Sequence, residues 1–349
     1  MSETKARGRE RVGAGRATLA DVAALAGVST SAVSRTFTTG ASVSEATRAK
    51  VVEAASALRY RPNLAARSLM INRSQVVGVA ITALDNQYYP AFLQALSERF
   101  AKIGYRLLLF ITHGELDLDP VLDEILQYRV DALVLASSSL SSRLARECRA
   151  AGVPAVMVNN VDPDCGAPCV VGDNVAGARH VAAFLAAGGH QRFAFVGGVD
   201  SASTSRDRER GYAEGLSALG LGAPMRAPSD YSFDGACAAA RALLSEPRRP
   251  DAIFCANDHL AMAVLQTARA EFGLTPGSDL SIVGFDDAAI SAWPGFDLTT
   301  FSQPVDAMAS KIVDIVQRQI EQGETAAVQH VIPGRLVVRG SARIPSPRV

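Results

Sequence analysis

From residue 76 onward the chain alternates short apolar runs with longer amphipathic stretches, and this alternation restricts its fold more than any other feature. The apolar runs are 76–81, 106–111, 132–136, 155–158, 192–197, 252–255 and 280–285. Between them the pattern turns helical, at 90–103, 174–187, 207–219, 235–244, 258–272 and 305–322. Short runs without polar alternation read as strands covered on both faces. Helices in the connections supply that cover, so a parallel, doubly wound α/β sheet is expected. About 270 residues are too many for one such sheet, so two lobes are expected. Ligands bind these sheets at the carboxyl ends of the strands, which makes a cleft between the lobes the default site.

The N-terminal part reads differently. Residues 1–16 are rich in Arg, Gly and Glu, a composition that predicts a disordered basic tail. Three short helices follow. Thr18 can cap the first, with Asp21 three residues on as a variant capping box, and Gly27 ends it. Leu19, Val22, Ala23 and Ala26 share its apolar face. Ser29 caps a second helix over 30–38, with Val33 and Phe37 inward. Ser44 caps a third over 45–58, with Val51, Val52, Ala55 and Leu58 inward, and Pro62 prevents easy continuation. Two short helices joined at a glycine make a helix-turn-helix unit, so the head is all-α. The outer face of its second helix carries small polar residues and Arg35, which can reach base edges in a major groove without bulk.

Charge follows the same division. The formal net charge is zero, yet residues 1–73 hold twelve Lys/Arg against five Asp/Glu, and the remainder holds 23 against 30. A basic head on an acidic body directs the head, not the body, at a polyanion. No apolar run approaches the roughly 18 residues that span a bilayer. No apolar segment follows the basic N-terminus as in a secretory signal. A cytoplasmic protein without a membrane partner is expected, nucleoid-associated when on DNA. The five cysteines (Cys148, Cys165, Cys169, Cys237 and Cys255) read as free thiols. The five histidines lack metal-ligand spacing, and neither a metal nor a cofactor is expected. Gly197-Gly198 is similar to a phosphate-cradling loop, but no Gly-x-Gly-x-x-Gly or Walker pattern follows, so it reads as a strand-end turn. No nucleophile, base and orienting group stand out together, so an enzyme is not expected.

An ordered series of motifs carries a resemblance over roughly residues 17–343. It runs from Thr18 to Ser29 (TLADVAALAGVS), then Ala32 to Arg35 (AVSR), Val43 to Arg48 (VSEATR), Leu58 to Asn63 (LRYRPN) and Ala66 to Leu69 (ARSL). It continues with Val77-Gly78-Val79, Asp85-Asn86, Gly172-Asp173-Asn174, Gly189-His190, Asn257-Asp258, Val283 to Asp287 (VGFDD) and Leu298-Thr299-Thr300. The series resembles the lactose- and galactose-repressor family of bacterial transcriptional regulators. The resemblance implies a helix-turn-helix head on a two-lobed body like that of periplasmic sugar-binding proteins. It implies a homodimer on near-palindromic operator DNA, a hinge helix, and operator affinity controlled by a small ligand in the cleft. Implied boundaries are 17–62 for the head, 63–75 for hinge and linker, 76–170 with 303–331 for the N-terminal lobe, 171–302 with 332–343 for the C-terminal lobe, and 344–349 for a tail. The chain ends without a leucine heptad, so a dimer is expected.

Carried over by motif position, Thr30, Ser31 and Arg35 would face bases. Thr18, Ser29, Ser34 and Tyr60 would hold phosphates, and Thr38 can add another phosphate bond. Arg35 can donate two hydrogen bonds to guanine, worth about 1–3 kcal/mol of discrimination. Phosphate contacts set register without reading sequence. Residues 63–70 would form the hinge helix, with Asn63 and Ala66 at the DNA and Leu69 wedged into the minor groove. One departure stands at Thr36-Phe37-Thr38, where the family has Val-Leu-Asn, so the operator sequence cannot be taken from a relative.

The positions that line the family's cleft fall at Asn86, Tyr88, Tyr89, Asn159, Thr204, Arg208, Tyr231, Asn257 and Asp286. Asn and Asp at strand ends pair donors and acceptors with adjacent hydroxyls, and tyrosines offer flat faces to a sugar ring. Arg208 can hold a ring oxygen or a carboxylate, unless Asp286 neutralises it, which favours a neutral sugar. The base-reading arginine of purine-sensing relatives falls at Ala202, so a sugar or sugar acid is the expected effector. Plainer roles stay open. Asp286 and Asp287 can cap the next turn, Asn257 and Asp258 can be a helix N-cap pair, and the tyrosines can be packing. The competing function is a transport-type sugar-binding protein without DNA. Steep salt dependence of DNA binding separates the two.

Overall fold

The computed structural model describes residues 17–38, 40–61, 73–82, 84–111, 118–136 and 141–345. The expected tail at 1–16 and the hinge, with Asn63, Ala66 and Leu69, lie outside these residues. The chain divides into two compact units at Ser74/Gln75.

The first unit contains α1 (Leu19–Ala26), α2 (Thr30–Thr36) and α3 (Glu45–Ala57). A capping box between Thr18 and Asp21 starts α1, and Gly27, at φ 66°, ends it. Ser29 and Ser44 cap α2 and α3 through the amides of Ala32 and Thr47. Val22, Ala23, Val33, Val51, Ala54 and Ala55 form the small core, flanked by Leu19, Ala26, Phe37, Leu58 and Tyr60. One inward residue was misplaced: Val52 is 51 % exposed, and Ala54 takes its place. The stripe is 51, 54, 55 and 58, the helical i, i+3, i+4, i+7 series, and Val52 falls outside it. The second helix stops at Thr36, short of the expected 38. The hydroxyls of Thr36 and Thr38 donate to the carbonyls of Ala32 and Ser34, a local competition that weakens helix continuation.

In the second unit, β1 (Val76–Ile81), β2 (Arg106–Ile111), β3 (Ala132–Ala136), β4 (Ala155–Val158), β5 (Cys169–Gly172) and β11 (Gln329–Ile332) form one sheet in the order β11-β5-β4-β3-β1-β2. All its pairs are parallel. The second sheet contains β6 (Phe193–Gly197), β7 (Met225–Pro228), β8 (Ala252–Cys255), β9 (Ser281–Asp286), β10 (Thr299–Ser302) and β12 (Leu336–Val337), in the order β12-β10-β9-β8-β6-β7. Only β12 runs antiparallel, against β10. The helices are α4 (Tyr88–Lys102), α5 (Leu118–Gln127), α6 (Ser141–Ala150), α7 (Asn174–Ala187), α8 (Ser203–Ala218), α9 (Phe233–Leu244), α10 (Asp258–Phe272) and α11 (Val305–Gln322). The chain passes between sheets after β5, after β10 and after β11. The expected lobe boundaries at 170/171 and 331/332 therefore fall inside β5 and β11, both of which belong to the first sheet. A strand joins its sheet as a whole, so the change of lobe comes at the strand end.

Side chains alternate across the first sheet with the strand period of two. Val77, Val79 and Val134 pack with Phe92, Leu96, Met308 and Ile312 on one face. Leu133 and Leu135 pack with Phe110, Ile125 and Leu144 on the other. The second lobe has one core, in which Phe195, Tyr212, Phe254, Phe285 and Phe301 make a chain of ring contacts between 5.1 and 6.5 Å. α8 starts four residues before the expected Asp207, which brings Thr204 and Arg208 onto its first two turns.

Candidate functional site

On the head, Thr30, Ser31 and Arg35 of α2 are exposed, with Ser31 and Arg35 one turn apart. Arg35 Nε donates to the Ser31 carbonyl at 3.3 Å. Thr18 and Ser29 are the N-caps of α1 and α2, so their hydroxyls sit where helix dipoles already favour an anion. Hydrogen bonds from Thr18 hold the Asp21 carboxyl below the usual range. Ser34 is half-buried, and its carbonyl accepts the Thr38 hydroxyl at 2.9 Å. Tyr60 is half-buried beside Phe37, with ring centroids 6.0 Å apart, and burial raises its phenol. The Thr36-Phe37-Thr38 departure faces inward: Thr36 is 5 % exposed, and Arg48 Nη1 ties its carbonyl to α3 at 2.9 Å.

In the body, all nine candidate cleft residues line one cavity of about 100 Å³ at the carboxyl ends of both sheets. Thr82, Asp85 and Gln303 join them. Thr82 follows β1, and Asp85, Asn86, Tyr88 and Tyr89 lead into and open α4. Asn159 follows β4, Thr204 and Arg208 belong to α8, and Tyr231 follows β7. Asn257 precedes α10, Asp286 ends β9, and Gln303 follows β10. The cavity lies where the strand order of each sheet reverses, between β1 and β3 and between β6 and β8.

The charged centre is a buried pair on the second lobe. Arg208 is 3 % exposed and stands 3.6 Å from Asp286, also 3 % exposed. Arg208 Nε donates to Asn174 Oδ1 at 2.8 Å, Nη1 donates to the Ala256 carbonyl, and the guanidinium lies 3.8 Å over the Phe285 ring. Gln303 Nε2 donates to Asp286 Oδ1 at 2.6 Å. Burial pushes the Asp286 carboxyl up to about 7, with Arg208 pulling against it. Asp286 has φ 130°, Tyr231 φ 67° and Asn159 φ 54°. Three residues on one cavity thus adopt backbone that side chains rarely take, the kind of strain that gathers at functional sites.

Neutral groups complete the lining. Asn257 caps α10, accepting from Leu260 N at 2.9 Å, and Asn86 accepts from Tyr88 N at 3.1 Å, so each has its amide nitrogen left for the cavity. Asn159 Oδ1 and Gln303 Oε1 are buried acceptors without a partner. Tyr88 stacks on Phe92 at 5.7 Å and meets Tyr89 edge-on at 5.6 Å. Burial raises both phenols. Gly198 makes room for Tyr231, since a Cβ there would stand 2.1 Å from the ring. The Gly197-Gly198 turn therefore seats an aromatic side chain. Asp85 and His259 face each other across the lobes at 3.8 Å. Ser203 Oγ bridges the lobes by donating to Asn160 Oδ1 and accepting from Val161 N, both at 3.0 Å.

Sequence reasoning missed Thr82, Asp85 and Gln303. Asp85 was noted only as part of a motif, and Gln303 sits at a lobe crossover that no local pattern marks. A second polar set lies away from the cleft. His190 Nε2 meets Ser281 Oγ at 2.7 Å, and its Nδ1 lies 3.5 Å from Asp251. Ser281 is fully buried at the opposite strand end and also accepts from Arg343 N, so this set anchors the last segment of the chain. All five cysteines are buried and free. No described helix is long and apolar enough to cross a membrane.

A helix-turn-helix head and a two-lobed α/β body with a polar cleft define a ligand-responsive DNA-binding regulator. Residues 18–63 match the model of bacterial regulatory proteins of the lacI family, and residues 182–342 match the periplasmic binding protein-like domain. The ribose operon repressor of Escherichia coli (strain K12) is 33% identical over 331 residues, covering 93% of this chain and 100% of that protein. The structure of the Lac repressor dimer bound to operator and the anti-inducer ONPF superposes with a TM-score of 0.83 at 28% identity, over 94% of this chain and 100% of that one. The regulator CelR in complex with cellobiose gives 0.71 at 28% identity, over 93% and 100%. The chain belongs to the LacI family of bacterial transcriptional regulators.

Proposed function

We propose that this chain is a cytoplasmic, homodimeric, non-enzymatic repressor that binds a near-palindromic operator and changes its grip when a small neutral sugar enters the cleft. The observation that carries the reading is that one cavity is lined from both lobes by all nine candidate residues. Above about pH 7 the Asp286 carboxylate offsets the charge of Arg208, which there favours a neutral ligand over a sugar acid. Two unpartnered acceptors, Asn159 Oδ1 and Gln303 Oε1, match hydroxyl donors, and Tyr89 and Tyr231 supply flat apolar faces. Closure on the ligand would draw the lobes together and alter how the two heads of a dimer are spaced.

In the head, Thr30, Ser31 and Arg35 are the proposed base contacts, and Thr18, Ser29, Ser34, Thr38 and Tyr60 the proposed phosphate contacts. Asn63, Ala66 and Leu69 complete the proposal from residues outside those described. Apolar side chains exposed on the edge strand β2 (Leu109 and Ile111) and at Trp293 are surfaces a second copy would cover. The proposed sensor lobes are 76–172 with 303–332, and 173–302 with 333–343.

The test is selection of bound sequences from a random DNA pool at about 150 mM salt, where phosphate-only binding is weak. Enrichment of one palindrome supports the reading and provides the probe for a release screen of monosaccharides. No enriched sequence, or release by no sugar, refutes the corresponding half.

A further inference from the structure

Asp258 opens α10 beside Asn257, yet it neither caps the helix nor lines the cleft, whereas Asn257 does both. Its carboxylate is 1 % exposed and is committed to other stretches of chain. Oδ2 accepts from Ala288 N at 2.9 Å and from Ser291 Oγ at 2.7 Å. Oδ1 accepts from Thr300 Oγ1 at 2.5 Å. It lies so close to β9 that a Cβ on Gly284 would stand 2.2 Å away. Thr300 Oγ1 in turn accepts from Asp287 N at 3.4 Å.

The stretch gripped in this way is the turn that carries Asp286. Its backbone lies in the rare positive region at two successive residues, φ 130° at Asp286 and 57° at Asp287. Such a conformation is costly and persists only where its surroundings over-determine it. Arg339 holds the turn from one side through Asp287 Oδ1 at 2.7 Å. Asp258 holds it from the other, through Ala288 directly and through Thr300 to Asp287. A buried carboxylate is itself expensive, and capping α10 does not require one. Burial pushes the proton affinity of Asp258 up, while Ser291, Thr300 and Ala288 pull it back.

We propose that Asp258 is a positioning residue for the cleft, holding the Asp286–Asp287 turn in the conformation that presents the Asp286 carboxylate to a bound polyol. This rests on reading the cleft as the effector site. The charged and titratable groups that face Asp286 are Arg208 from α8, Asp258 from α10, Tyr88 and Tyr89 from α4, and Tyr231 from the loop after β7. The charge of Asp258 adds to burial in raising the proton affinity of Asp286, so removing that charge lowers it.

The test uses the full-length protein without ligand: carboxyl-carbon NMR of labelled aspartates, with Asp286→Asn to assign the resonance, and amide hydrogen exchange. In Asp258→Asn the Asp286 midpoint is expected to fall by about half a pH unit or more, since one negative charge is lost nearby. The amides of Asp287 and Ala288 are expected to exchange about tenfold faster or more, while β8 and the middle of α10 keep their protection. An unmoved midpoint with unchanged exchange at Asp287 and Ala288 overturns the proposal. So does an equal loss of protection across the lobe, the mark of a merely structural residue. Should that variant fail to fold, Thr300→Val keeps the shape and the Asp258 charge. Faster exchange confined to Asp287 then supports the role, and unchanged exchange overturns it. Neither readout needs a ligand. Failure of the wild-type chain to bind any sugar refutes the cleft reading, whereas titration and exchange decide the role of Asp258.

Discussion

The two walls of the cleft are built differently. On the second lobe, Arg208 is held by Asn174, Ala256 and the face of Phe285, Asn257 is held by its cap, and Asp286 sits on a strained turn held by Asp258 and Arg339. On the first lobe, Asn86 makes one local bond, Tyr89 packs edge-on against Tyr88, and the Asn159 oxygen has no partner. One wall is buried and fixed before a ligand arrives, and the other is less tied down, its charged residue Asp85 being exposed. Pre-organised groups lose little freedom on binding, so the second lobe should supply most of the affinity and the first lobe should close over the ligand.

The largest expected effect tests that asymmetry directly. Arg208→Ala removes a charged hydrogen-bond donor from the cavity, worth about 1.5–3 kcal/mol, so sugar affinity should fall roughly tenfold to a hundredfold. Calorimetry with the sugar found by the release screen measures it, and operator binding should survive. A loss under tenfold would break the comparison.

The fixed wall should also carry a pH signature. Asp286 keeps its proton up to about 7, against 3.8 for an ordinary aspartate, so the folded chain holds an extra proton between those values. The stability this contributes is complete below about pH 4 and is lost as pH rises through about 7. Denaturant unfolding from pH 5 to 8 should show the wild type losing stability relative to Asp286→Asn. Parallel pH curves for the two proteins would count against a protonated Asp286.

Arg35→Ala is the control outside the cleft. It should relax base preference at one half-site position by about 1–3 kcal/mol and leave sugar affinity unchanged. Selection of bound sequences and calorimetry check the two halves. Unaltered preference removes Arg35 as a reader. The smallest effect belongs to the looser wall: Tyr89→Ala should cost about 0.5–1.5 kcal/mol of sugar affinity, roughly threefold to tenfold. A loss equal to that of Arg208→Ala would show that both walls are equally committed.

Much of this architecture was legible in the residues. Caps and glycine turns act within a few positions, so Thr18, Ser29, Ser44 and Gly27 marked the head helices correctly. Unbroken apolar runs marked β1, β2, β3, β4, β6, β8 and β9. The strands β5, β7, β10 and β11 carry Gly, Arg and Pro, Thr and Ser, or Gln and His, so no apolar run stands out, and their neighbours in the sheet define them. Val52 shows the same limit in reverse, since an apolar residue one step off the stripe is exposed however hydrophobic it is. The nine cleft positions came from motif correspondence, and the structure gathers them around one cavity.

The sequence alone determined the kinds of element, their order, the all-α head and the α/β body, because periodicity, capping and turn chemistry are short-range. It also located Arg208 and Asp286. Their meeting at 3.6 Å, the shift of Asp286 to about 7, the seat of Tyr231 on Gly198 and the grip of Asp258 on the Asp286 turn were decided by the tertiary structure. Each of these depends on groups 30 or more residues apart brought together in a dry interior, where desolvation and a nearby charge outweigh anything a local stretch of chain encodes.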